Sequence, residues 1–424
     1  MSEDREDVIK VLKAAIGEHY VLTDDHSLEF YSMDVYRSFE IPIAIVQPGN
    51  IGELQETVRI ASGLGVSIVT RGGGASYTDA YLPTDPNSII IDTSRLNKIV
   101  EINEEDMFVT VEAGVTWAEM AATLAEKNLR TPFWGPFSGL KATIGGSTSQ
   151  NSVSMGSGIY GGSAESILCY EVVLANGQMI KTGSSSMENS SQFFRNYGPD
   201  LTGIFSGDAG ALGVKAKITM RLIKLPSHTL TCSFGFKNYN SMSQGMAAVA
   251  REQSISSNWG LDPKLQRGQL GKVTFMDSIR AAFAVLKTAR NPLEAIIQLI
   301  KMALAGKRFL TGFDYSAHFV AEGYSTAEVK SKLAQTRKVI SPFGTEIANT
   351  IPTVMGAMPF MPLHPILGPQ GERWVPMHGL LPFSKMQKMH DRIEELYAEK
   401  KEAMEEHSVE AGTMFVTYST HAFL

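Results

Sequence analysis

The stretch from Thr143 to Gly162 constrains the fold of this chain more than any other segment does. It reads TIGGSTSQNSVSMGSGIYGG, so glycines alternate with short hydroxyl and amide side chains. Because each glycine loses more backbone entropy on folding than any other residue, this density predicts a loop and neither a strand nor a helix. Such a loop exposes backbone N–H groups to phosphate oxygens or a polar ring edge. A flexible linker shares the composition, but the apolar flanks at 134–137 and 167–174 favour a ligand-binding loop.

Two further glycine-rich segments lie far from this loop in the sequence. Residues 71–77 read RGGGASY directly after a predicted strand, and residues 207–213 read GDAGALG directly before another. Three consecutive glycines after a strand indicate that the backbone approaches another group closely. We therefore predict that two of the loops, at 71–77 and 143–162, converge on one elongated ligand that contains a pyrophosphate.

The GxGxxG match at Gly156–Gly161 does not indicate a Rossmann site. A serine-rich loop stands where the preceding strand would be, and Lys181 stands where an acidic residue is required. The sequence also contains no P-loop motif and no HExxH motif. It therefore predicts neither a nucleotide-binding P-loop nor a metal site.

Periodicity places the glycine segments between helices and strands. Apolar residues at helical spacing in 51–61, flanked by strands at 41–46 and 67–70, predict a strand–helix–strand unit. Asn176–Gly177 between two apolar runs predicts a β-hairpin. Thr116 is the expected N-cap of the helix that follows it. The chain is thus predicted to mix helices and strands.

The sequence changes character at Pro226, which we take as a domain boundary between residues 1–225 and 226–424. In the second part, strands are predicted at 232–236, 314–322 and 413–418, and helices at 241–252, 275–307, 326–339 and 384–407. The last of these is predicted as one long helix with a heavily charged side.

Composition narrows the class of protein. The formal net charge is -6, so nothing suggests the basic surface of a nucleic-acid-binding protein. Cys169 and Cys232 are the only cysteines, which excludes a disulfide scaffold and fits a reducing compartment. Residues 1–10 are polar and acidic rather than a secretory signal, and charges interrupt the apolar run 281–305, which is therefore not a transmembrane span. We expect a cytoplasmic protein.

Four motifs, in order, resemble the FAD-binding domain of the vanillyl-alcohol oxidase superfamily, the PCMH type. They lie at 71–76, 144–161, 171–177 and 207–214, and the similarity covers residues 40–223. The resemblance implies an α+β fold, in which a two-subdomain PCMH-type FAD-binding domain precedes a cap domain with an antiparallel sheet flanked by helices. It also implies that the cofactor is FAD. The FAD-binding domain would then occupy residues 1–225, and the cap or substrate domain residues 226–424.

In the family that this chain resembles, the first glycine loop meets the pyrophosphate and the second runs along the flavin. The residues that the resemblance assigns to FAD binding are Arg71, Gly72, Gly73, Gly74, Ala75, Ser76, Pro136, Thr143, Gly145, Gly146, Ser149, Gln150, Ser152, Gly156, Tyr160, Gly161, Gly210, Val214 and His421. Ala75 replaces the histidine that carries the flavin covalently in berberine-bridge-like members. His421 lies near the position of the cap histidine that carries the flavin covalently in the vanillyl-alcohol branch. His421 is equally consistent with an ordinary histidine at the end of a strand.

Two branches of the superfamily compete as relatives of this chain. The para-substituted phenol oxidisers resemble it at 376–384, and Tyr77 stands where they place a phenolate-binding tyrosine. Thr143 replaces the aspartate that this branch places before its second loop. The D-2-hydroxy-acid dehydrogenases resemble it at 71–76 and 207–214, but their cap carries a histidine-containing metal motif that this sequence lacks.

The favoured function is that of an FAD-dependent oxidoreductase acting on a small organic substrate. It would move a hydride from an activated C–H bond, in a para-substituted phenolic or benzylic alcohol, onto flavin N5. A lactate- or glycolate-like D-2-hydroxy-acid dehydrogenase is the alternative. The predicted catalytic residues are Tyr77 for phenolate binding, His378 for pocket polarity and Arg373 for anion stabilisation. A purely structural role stays open for each of them.

The apolar end of the chain at Leu424 favours a third interpretation. The Tyr-Arg pair that phenol oxidisers use would lie beyond this residue. The chain would then be a flavin-binding subunit of a split enzyme, with little activity alone. An electron-acceptor protein or a completing subunit is an expected partner, and a homo- or hetero-oligomer is expected, whereas a nucleic acid is not.

Overall fold

The computed structural model describes residues 3–266, 312–361, 375–418 and 421–423. Contacts within the chain divide it into two compact units. The first unit comprises Met1–Val153, Gly162–Leu225 and Phe360–Pro376, and the second comprises Ser154–Gly161, Pro226–Pro359 and Met377–Leu424. The division into an FAD-binding domain at 1–225 and a cap or substrate domain at 226–424 stays a prediction. Arg373 and the predicted helix at 275–307 lie outside the described residues.

The predicted strand–helix–strand unit is confirmed and forms part of the first sheet. In spatial order this sheet contains β1 (Val21–Leu22), β2 (Ala44–Val46), β4 (Ser88–Asp92) and β3 (Ser67–Arg71). Strands β2 and β3 both pair with β4 in parallel, and β1 is antiparallel to β2. Helix α3 (Ile51–Gly63) connects β2 to β3, and it buries Leu54 and Val58 in the same core as Ile89 of β4.

The second sheet of the first unit consists of five antiparallel strands. In spatial order they are β5 (Ile99–Asn103), β6 (Phe108–Glu112), β10 (Val214–Arg221), β8 (Ile167–Val173) and β9 (Met179–Lys181). The predicted hairpin is confirmed, because Val173 pairs with Met179 and Gly177 adopts a left-handed φ of 79° in the turn. Strands β7 (Leu129–Arg130) and β11 (Ile223–Lys224) form a separate antiparallel pair.

Helices of different lengths connect the strands of the first unit. They are α1 (Glu3–Ile16), α2 (Asp25–Tyr31), α4 (Trp117–Glu126), α5 (Ile144–Ser149) and α7 (Leu201–Ile204), with single 3-10 turns at Glu18–Tyr20, Thr93–Arg95, Ser163–Ser166 and Gly183–Ser186. Helix α4 begins in a capping box: Thr116 Oγ1 accepts the Glu119 N–H, and the Glu119 carboxylate accepts the Thr116 N–H. The predicted N-cap is therefore confirmed.

The prediction that the glycine-rich stretch contains no helix is wrong. It contains α5 in the first unit and α6 (Ser157–Tyr160) in the second. Thr143 caps α5, because its Oγ1 accepts the Gly146 N–H at 3.2 Å. Gly145 lets α5 approach Ala113, where a Cβ on the glycine would lie 2.7 Å from the Ala113 Cβ. Capping and close packing therefore outweigh the entropic cost of glycine in so short a helix.

The second unit contains a seven-stranded antiparallel sheet, as predicted for the cap. In spatial order its strands are β15 (Thr345–Ile347), β12 (His228–Phe236), β14 (Tyr315–Gly323), β13 (Ser257–Leu261), β17 (Met414–Thr417), β18 (His421–Phe423) and β16 (Leu380–Pro382). Phe234 and Phe319 share a buried core with Met242 of helix α8 (Tyr239–Arg251). The sheet is thus covered by helix on this face.

The remaining helices of the second unit follow the sheet strands in the chain. They are α9 (Thr326–Ile340), α10 (Thr350–Ala357), α11 (Met386–Glu399) and α12 (Lys401–Glu406), with a 3-10 turn at Phe383–Lys385. The prediction of one helix across 384–407 is wrong, because α11 ends at Glu399 and α12 starts after Lys400. Helix α12 buries none of its residues, so no tertiary packing holds it in line with α11.

Among the described helices, none has both the length and the apolar character that a membrane span requires. The apolar run at 281–305 lies outside the described residues.

Candidate functional site

The first glycine loop, residues 71–77, packs against the start of the second glycine-rich stretch. A Cβ on Gly73 would overlap with the carbonyl oxygen of Lys141, and a Cβ on Gly72 would overlap with Oγ1 of Thr143. Gly74 has a φ of 63°, in the left-handed region that other residues avoid. The loop therefore keeps its contact with Lys141 and Thr143 only while glycines occupy these positions.

The third glycine segment, residues 207–213, packs against the far end of helix α5. The Gly207 N–H donates to the carbonyl oxygen of Thr148 at 3.0 Å, and the Ala209 N–H donates to that of Ser149 at 2.8 Å. The first and third segments thus both contact the region that begins at Lys141 and ends with α5. The structure brings together three segments that are distant in sequence.

A buried ion pair stabilises the third segment. Lys215 Nζ lies 2.6 Å from Asp208 Oδ1, and the two side chains are 2% and 1% exposed. The Gly210 N–H donates to the same carboxylate oxygen at 3.0 Å, whereas Oδ2 is buried with no hydrogen-bond partner among the described residues. Burial lowers the pKa of Lys215. Sequence reasoning missed this pair, because a lysine at the start of a strand normally indicates a solvated position.

The first loop carries backbone N–H groups that no described residue accepts. They belong to Gly73, Gly74, Ala75 and Ser76, all of which are partly or fully exposed. Consecutive N–H groups in such a turn form a concave site for anions. The carboxylate of the neighbouring third segment, Asp208, is neutralised by its lysine. This donor set fits the pyrophosphate of FAD.

In the second glycine-rich stretch, residues 143–162, the N–H groups instead donate hydrogen bonds to acceptors of the protein itself. Those of residues 144–147 are accepted by carbonyl oxygens of the β6–α4 connection and by the Thr143 cap. Those of residues 156–161 are accepted by Ser257 Oγ, by the Ser256 carbonyl oxygen and by the turn itself. The prediction of N–H groups exposed to phosphate is therefore wrong for these segments. Short helices satisfy their N–H groups in caps and turns when they are packed this closely.

The residues predicted to bind FAD fall in both units. Those of the first unit are Arg71–Ser76, Pro136, Thr143, Gly145, Gly146, Ser149, Gln150, Ser152, Gly210 and Val214, and those of the second are Gly156, Tyr160, Gly161 and His421. Their assignment to FAD stays a prediction. His421 lies in β18 opposite Pro382 of β16, and the flavin link at this histidine also stays a prediction.

Two of these residues also have structural roles in the first unit. The Arg71 guanidinium donates from Nη1 to the carbonyl oxygens of Tyr31 at 2.9 Å and Met33 at 2.7 Å. Burial lowers the pKa of Arg71. Val214 is the first residue of β10 and is buried in the core of the unit. The Arg71 side chain thus anchors the segment that follows α2.

The three predicted catalytic residues are not described together. Tyr77 ends the first loop and is half-buried, and burial raises its pKa to about 12. His378 belongs to the second unit, on an exposed stretch where neighbouring atoms partly desolvate the ring and lower its pKa. Arg373 lies outside the described residues. A catalytic group made of these three stays a prediction.

Comparison with known proteins identifies the domain that contains the first loop. Residues 42–183 match the family described as FAD binding domain. The chain is 30% identical over 226 residues to the glycolate oxidase subunit GlcD of Bacillus subtilis (strain 168), a match that covers 53% of this chain and 46% of that protein. It is 30% identical over 234 residues to the mitochondrial D-lactate dehydrogenase (cytochrome) of Arabidopsis thaliana, covering 54% and 39%. The chain thus spans about half the length, or less, of these curated relatives.

A solved structure resembles the whole chain in fold. It is the crystal structure of p-cresol methylhydroxylase with substrate bound, with a TM-score of 0.76 and 19% sequence identity. The match covers 100% of this chain and 82% of that one. It confirms the predicted architecture of an FAD-binding part followed by an antiparallel cap. Residues 42–183 therefore form an FAD binding domain, which indicates FAD as the cofactor, and the chain as a whole has a fold like that of p-cresol methylhydroxylase.

Proposed function

We propose that the chain is an FAD-dependent oxidoreductase that takes a hydride from an activated C–H bond of a small organic substrate. One observation carries the proposal. The first and third glycine segments converge beside α5, and the N–H groups of Gly73–Ser76 are open to phosphate oxygens there, within an FAD binding domain. FAD, when bound, supplies the electron-accepting N5 atom. The protein's own side chains bind and orient the substrate.

The favoured substrate is a para-substituted phenol or benzylic alcohol. The Tyr77 phenol is protonated at neutral pH, as an ordinary tyrosine is, and burial raises its pKa further, to about 12. It is therefore proposed to donate a hydrogen bond to a phenolate oxygen. The resemblance of 376–384 to the phenol oxidisers supports this choice, and so does the fold likeness to p-cresol methylhydroxylase. His378 and Arg373 are proposed to add polarity and positive charge.

A D-2-hydroxy acid is the second candidate substrate. Two curated relatives, each matched over about half of the chain, are named as a glycolate oxidase subunit and a D-lactate dehydrogenase. A protonated Tyr77 serves a carboxylate oxygen as well as a phenolate oxygen, so its pKa does not favour one substrate over the other.

The protein is also proposed to work with a second polypeptide, either an electron acceptor or a completing subunit. The relative from Bacillus subtilis is named as a subunit of glycolate oxidase, which supports this proposal. We also propose a cytoplasmic location, because a total of two cysteines, Cys169 and Cys232, fits a reducing compartment.

Anaerobic titration of the purified, FAD-loaded protein distinguishes the candidates. Bleaching of the flavin absorption band by 4-alkylphenols or 4-hydroxybenzyl alcohol supports the first substrate class. Bleaching by D-lactate or glycolate, but not by L-lactate, supports the second. Bleaching that appears only after a partner polypeptide is added indicates a split enzyme. A protein that cannot be loaded with FAD contradicts the proposed function itself.

A further inference from the structure

Large apolar side chains are exposed on the connection between β9 and β10 in the first unit. They belong to Met187, Phe193, Phe194, Tyr197, Leu201 and Ile204, and each residue is 42% to 55% exposed. We call these six residues the apolar patch. Single exposed apolar residues are common on protein surfaces, whereas several of them along one short segment indicate an interaction site.

A buried serine holds the two phenylalanines of the patch in place. Ser184 Oγ accepts the N–H groups of Phe193 and Phe194, each at 3.1 Å, and donates to the carbonyl oxygen of Ser191 at 2.7 Å. The Ser184 N–H donates to the carbonyl oxygen of Phe194 at 2.8 Å. The two phenyl rings are adjacent, with their centroids 6.4 Å apart. Their backbone is therefore ordered before a partner binds, which lowers the entropic cost of binding.

An ion pair connects the phenylalanines to helix α7. Arg195 Nη2 lies 2.9 Å from Asp200 Oδ2, and Asp200 Oδ1 accepts the Gly203 N–H at 2.9 Å and so caps α7. Arg195 Nη1 also donates to the carbonyl oxygen of Ala164 at 2.6 Å. The residues on both sides of the ion pair are thus held together against the first unit.

Helix α7 turns its apolar side towards solvent. Leu201 and Ile204, three residues apart, lie on one side of the helix and are exposed. Thr202 lies on a different side and is fully buried, with its Oγ1 2.7 Å from that of Thr182. A surface helix normally buries its apolar side. The reversed orientation of α7 indicates that another molecule covers Leu201 and Ile204.

The described charged groups of this segment and in contact with it are mostly acidic. Glu188 and Asp200 belong to the segment, Glu101 accepts a hydrogen bond from it at 3.1 Å, and Glu165 interacts electrostatically with Arg195. All four acidic residues are exposed, and Arg195 is the only basic residue in the sequence from 183 to 205. Carboxylates therefore border the apolar patch.

This charge selects the kind of partner. A second copy of the patch would bring like-charged carboxylates together, and the anionic surface of a membrane would repel them. Lys181, which precedes the segment, is paired with Glu171 at 3.8 Å and so does not offset them. We propose that the apolar patch binds a protein whose apolar contact surface is bordered by lysine or arginine side chains. The proposal depends neither on the substrate nor on bound FAD.

Two synthetic amphipathic peptides test the proposal on the full-length protein. Both present the same leucine face as a helix, but the polar face consists of lysine in one and of glutamate in the other. Fluorescence anisotropy of the labelled peptides gives their dissociation constants. The wild type is expected to bind the lysine peptide about tenfold more tightly than the glutamate peptide, and salt is expected to weaken this binding. Equal binding of the two peptides overturns the proposal.

Matched variants locate the binding site. Phe193→Ser is expected to weaken binding of the lysine peptide about tenfold, as for an aromatic anchor. Leu64→Ser is the control, because Leu64 follows α3 outside the patch and is 53% exposed, against 55% for Phe193. Glu188→Lys, a change of charge alone, is expected to weaken binding about twofold to fivefold and to reduce its salt dependence. Wild-type binding in Phe193→Ser, or an equal loss in Leu64→Ser, contradicts the assignment to the patch.

Two further measurements test the other occupants. Sedimentation velocity detects a dimer, and flotation with phosphatidylcholine–phosphatidylglycerol vesicles detects membrane binding. A dimer that dissociates in Phe193→Ser, or vesicle binding that this variant loses, overturns the proposal in favour of a second copy or a membrane. A monomer that does not float with vesicles supports it. If Phe193→Ser lowers the Tm, the result for Glu188→Lys decides, because its side chain is exposed and its replacement leaves the fold intact.

Discussion

The loop at 71–77 and the turn at 156–161 are both rich in glycine, yet they use their backbone N–H groups in opposite ways. In the loop, the N–H groups of Gly73–Ser76 have no acceptor among the described residues. In the turn, each N–H from Gly156 to Gly161 is bonded within the second unit. Glycine leaves donors open to a ligand in the first case and permits tight packing in the second. Composition alone therefore does not distinguish a ligand-binding loop from a packed turn.

The largest effect is expected when the buried Lys215–Asp208 ion pair of the third glycine segment is broken. Lys215→Met leaves the Asp208 carboxylate buried without its counter-ion, which should lower the free energy of unfolding by about 3–5 kcal/mol. FAD affinity should fall as well, because the third segment contacts Thr148 and Ser149 beside the loop. Chemical denaturation measures the first change, and titration of apoprotein measures the second.

Glu104→Gln is the matched control for this prediction. It breaks an ion pair of the same unit with Lys127, whose side chain is 43% exposed while that of Glu104 is 55% exposed. The expected loss is about 0–1 kcal/mol, because solvent screens an exposed pair. Equal losses in Lys215→Met and Glu104→Gln would show that burial of the Asp208 pair has no special effect.

The next prediction compares the loop and the turn directly. Gly73→Ala and Gly158→Ala each place a Cβ against a backbone carbonyl oxygen, so each should lower the free energy of unfolding by about 1–3 kcal/mol. Only Gly73→Ala also displaces N–H groups that are open to the pyrophosphate. We therefore expect FAD affinity to fall much further in Gly73→Ala than in Gly158→Ala at similar Tm.

Gly63→Ala serves as the control for the glycine pair. Gly63 is the last residue of α3, and a Cβ there would meet nothing within 4 Å. Its φ is not positive, so alanine should leave the stability unchanged or raise it slightly. If Gly73→Ala and Gly158→Ala changed FAD affinity equally, the contrast between open and bonded N–H groups would have no functional meaning.

The prediction with the smallest effect at neutral pH concerns the acid sensitivity of the unit that holds the turn. His318 is fully buried in β14, opposite Trp259 of β13, and burial lowers its pKa from 6.5 to about 3. A neutral buried histidine contributes stability above pH 6.5, and that stability is lost as the pH falls towards 3. The loss is at most about 1.4 kcal/mol per pH unit.

We expect the Tm of His318→Gln to fall less than that of the wild type as the solution is acidified through this range. Acid should also lower the protection of the turn amides against hydrogen exchange, measured relative to their intrinsic rates at each pH, because the turn is bonded to β13. Parallel Tm profiles for the variant and the wild type would contradict the assignment to His318.

The elements that could be predicted from the sequence depend on residues close together in the chain. The helical spacing of apolar residues in 51–61, the Asn176–Gly177 turn and the Thr116 cap each carry their signal within one element. The close approach of the first glycine loop to another part of the chain could also be predicted, because consecutive glycines after a strand indicate such an approach.

The features that were missed depend on contacts between distant residues. The Gly156–Ser257 bond joins positions 101 residues apart, and nothing near either residue indicates the other. Asp208 and Lys215 look like ordinary surface charges until their burial is known. The end of α11 before Lys400 depends on the absence of packing beyond it, which a helical pattern does not report.

The segment 154–161 belongs to the second unit although the residues before and after it belong to the first. This limits how parts of such proteins can be exchanged. A chimera that joined residues 1–225 of this protein to the second unit of a relative would place a foreign strand against its own turn. That strand would need a hydroxyl group where Ser257 accepts the Gly156 N–H. It would also need an unpaired carbonyl oxygen where Ser256 accepts the Gly158 N–H. Ser257 and the turn should therefore be inherited together, so the boundary of recombination runs through the glycine-rich stretch and not only at Pro226.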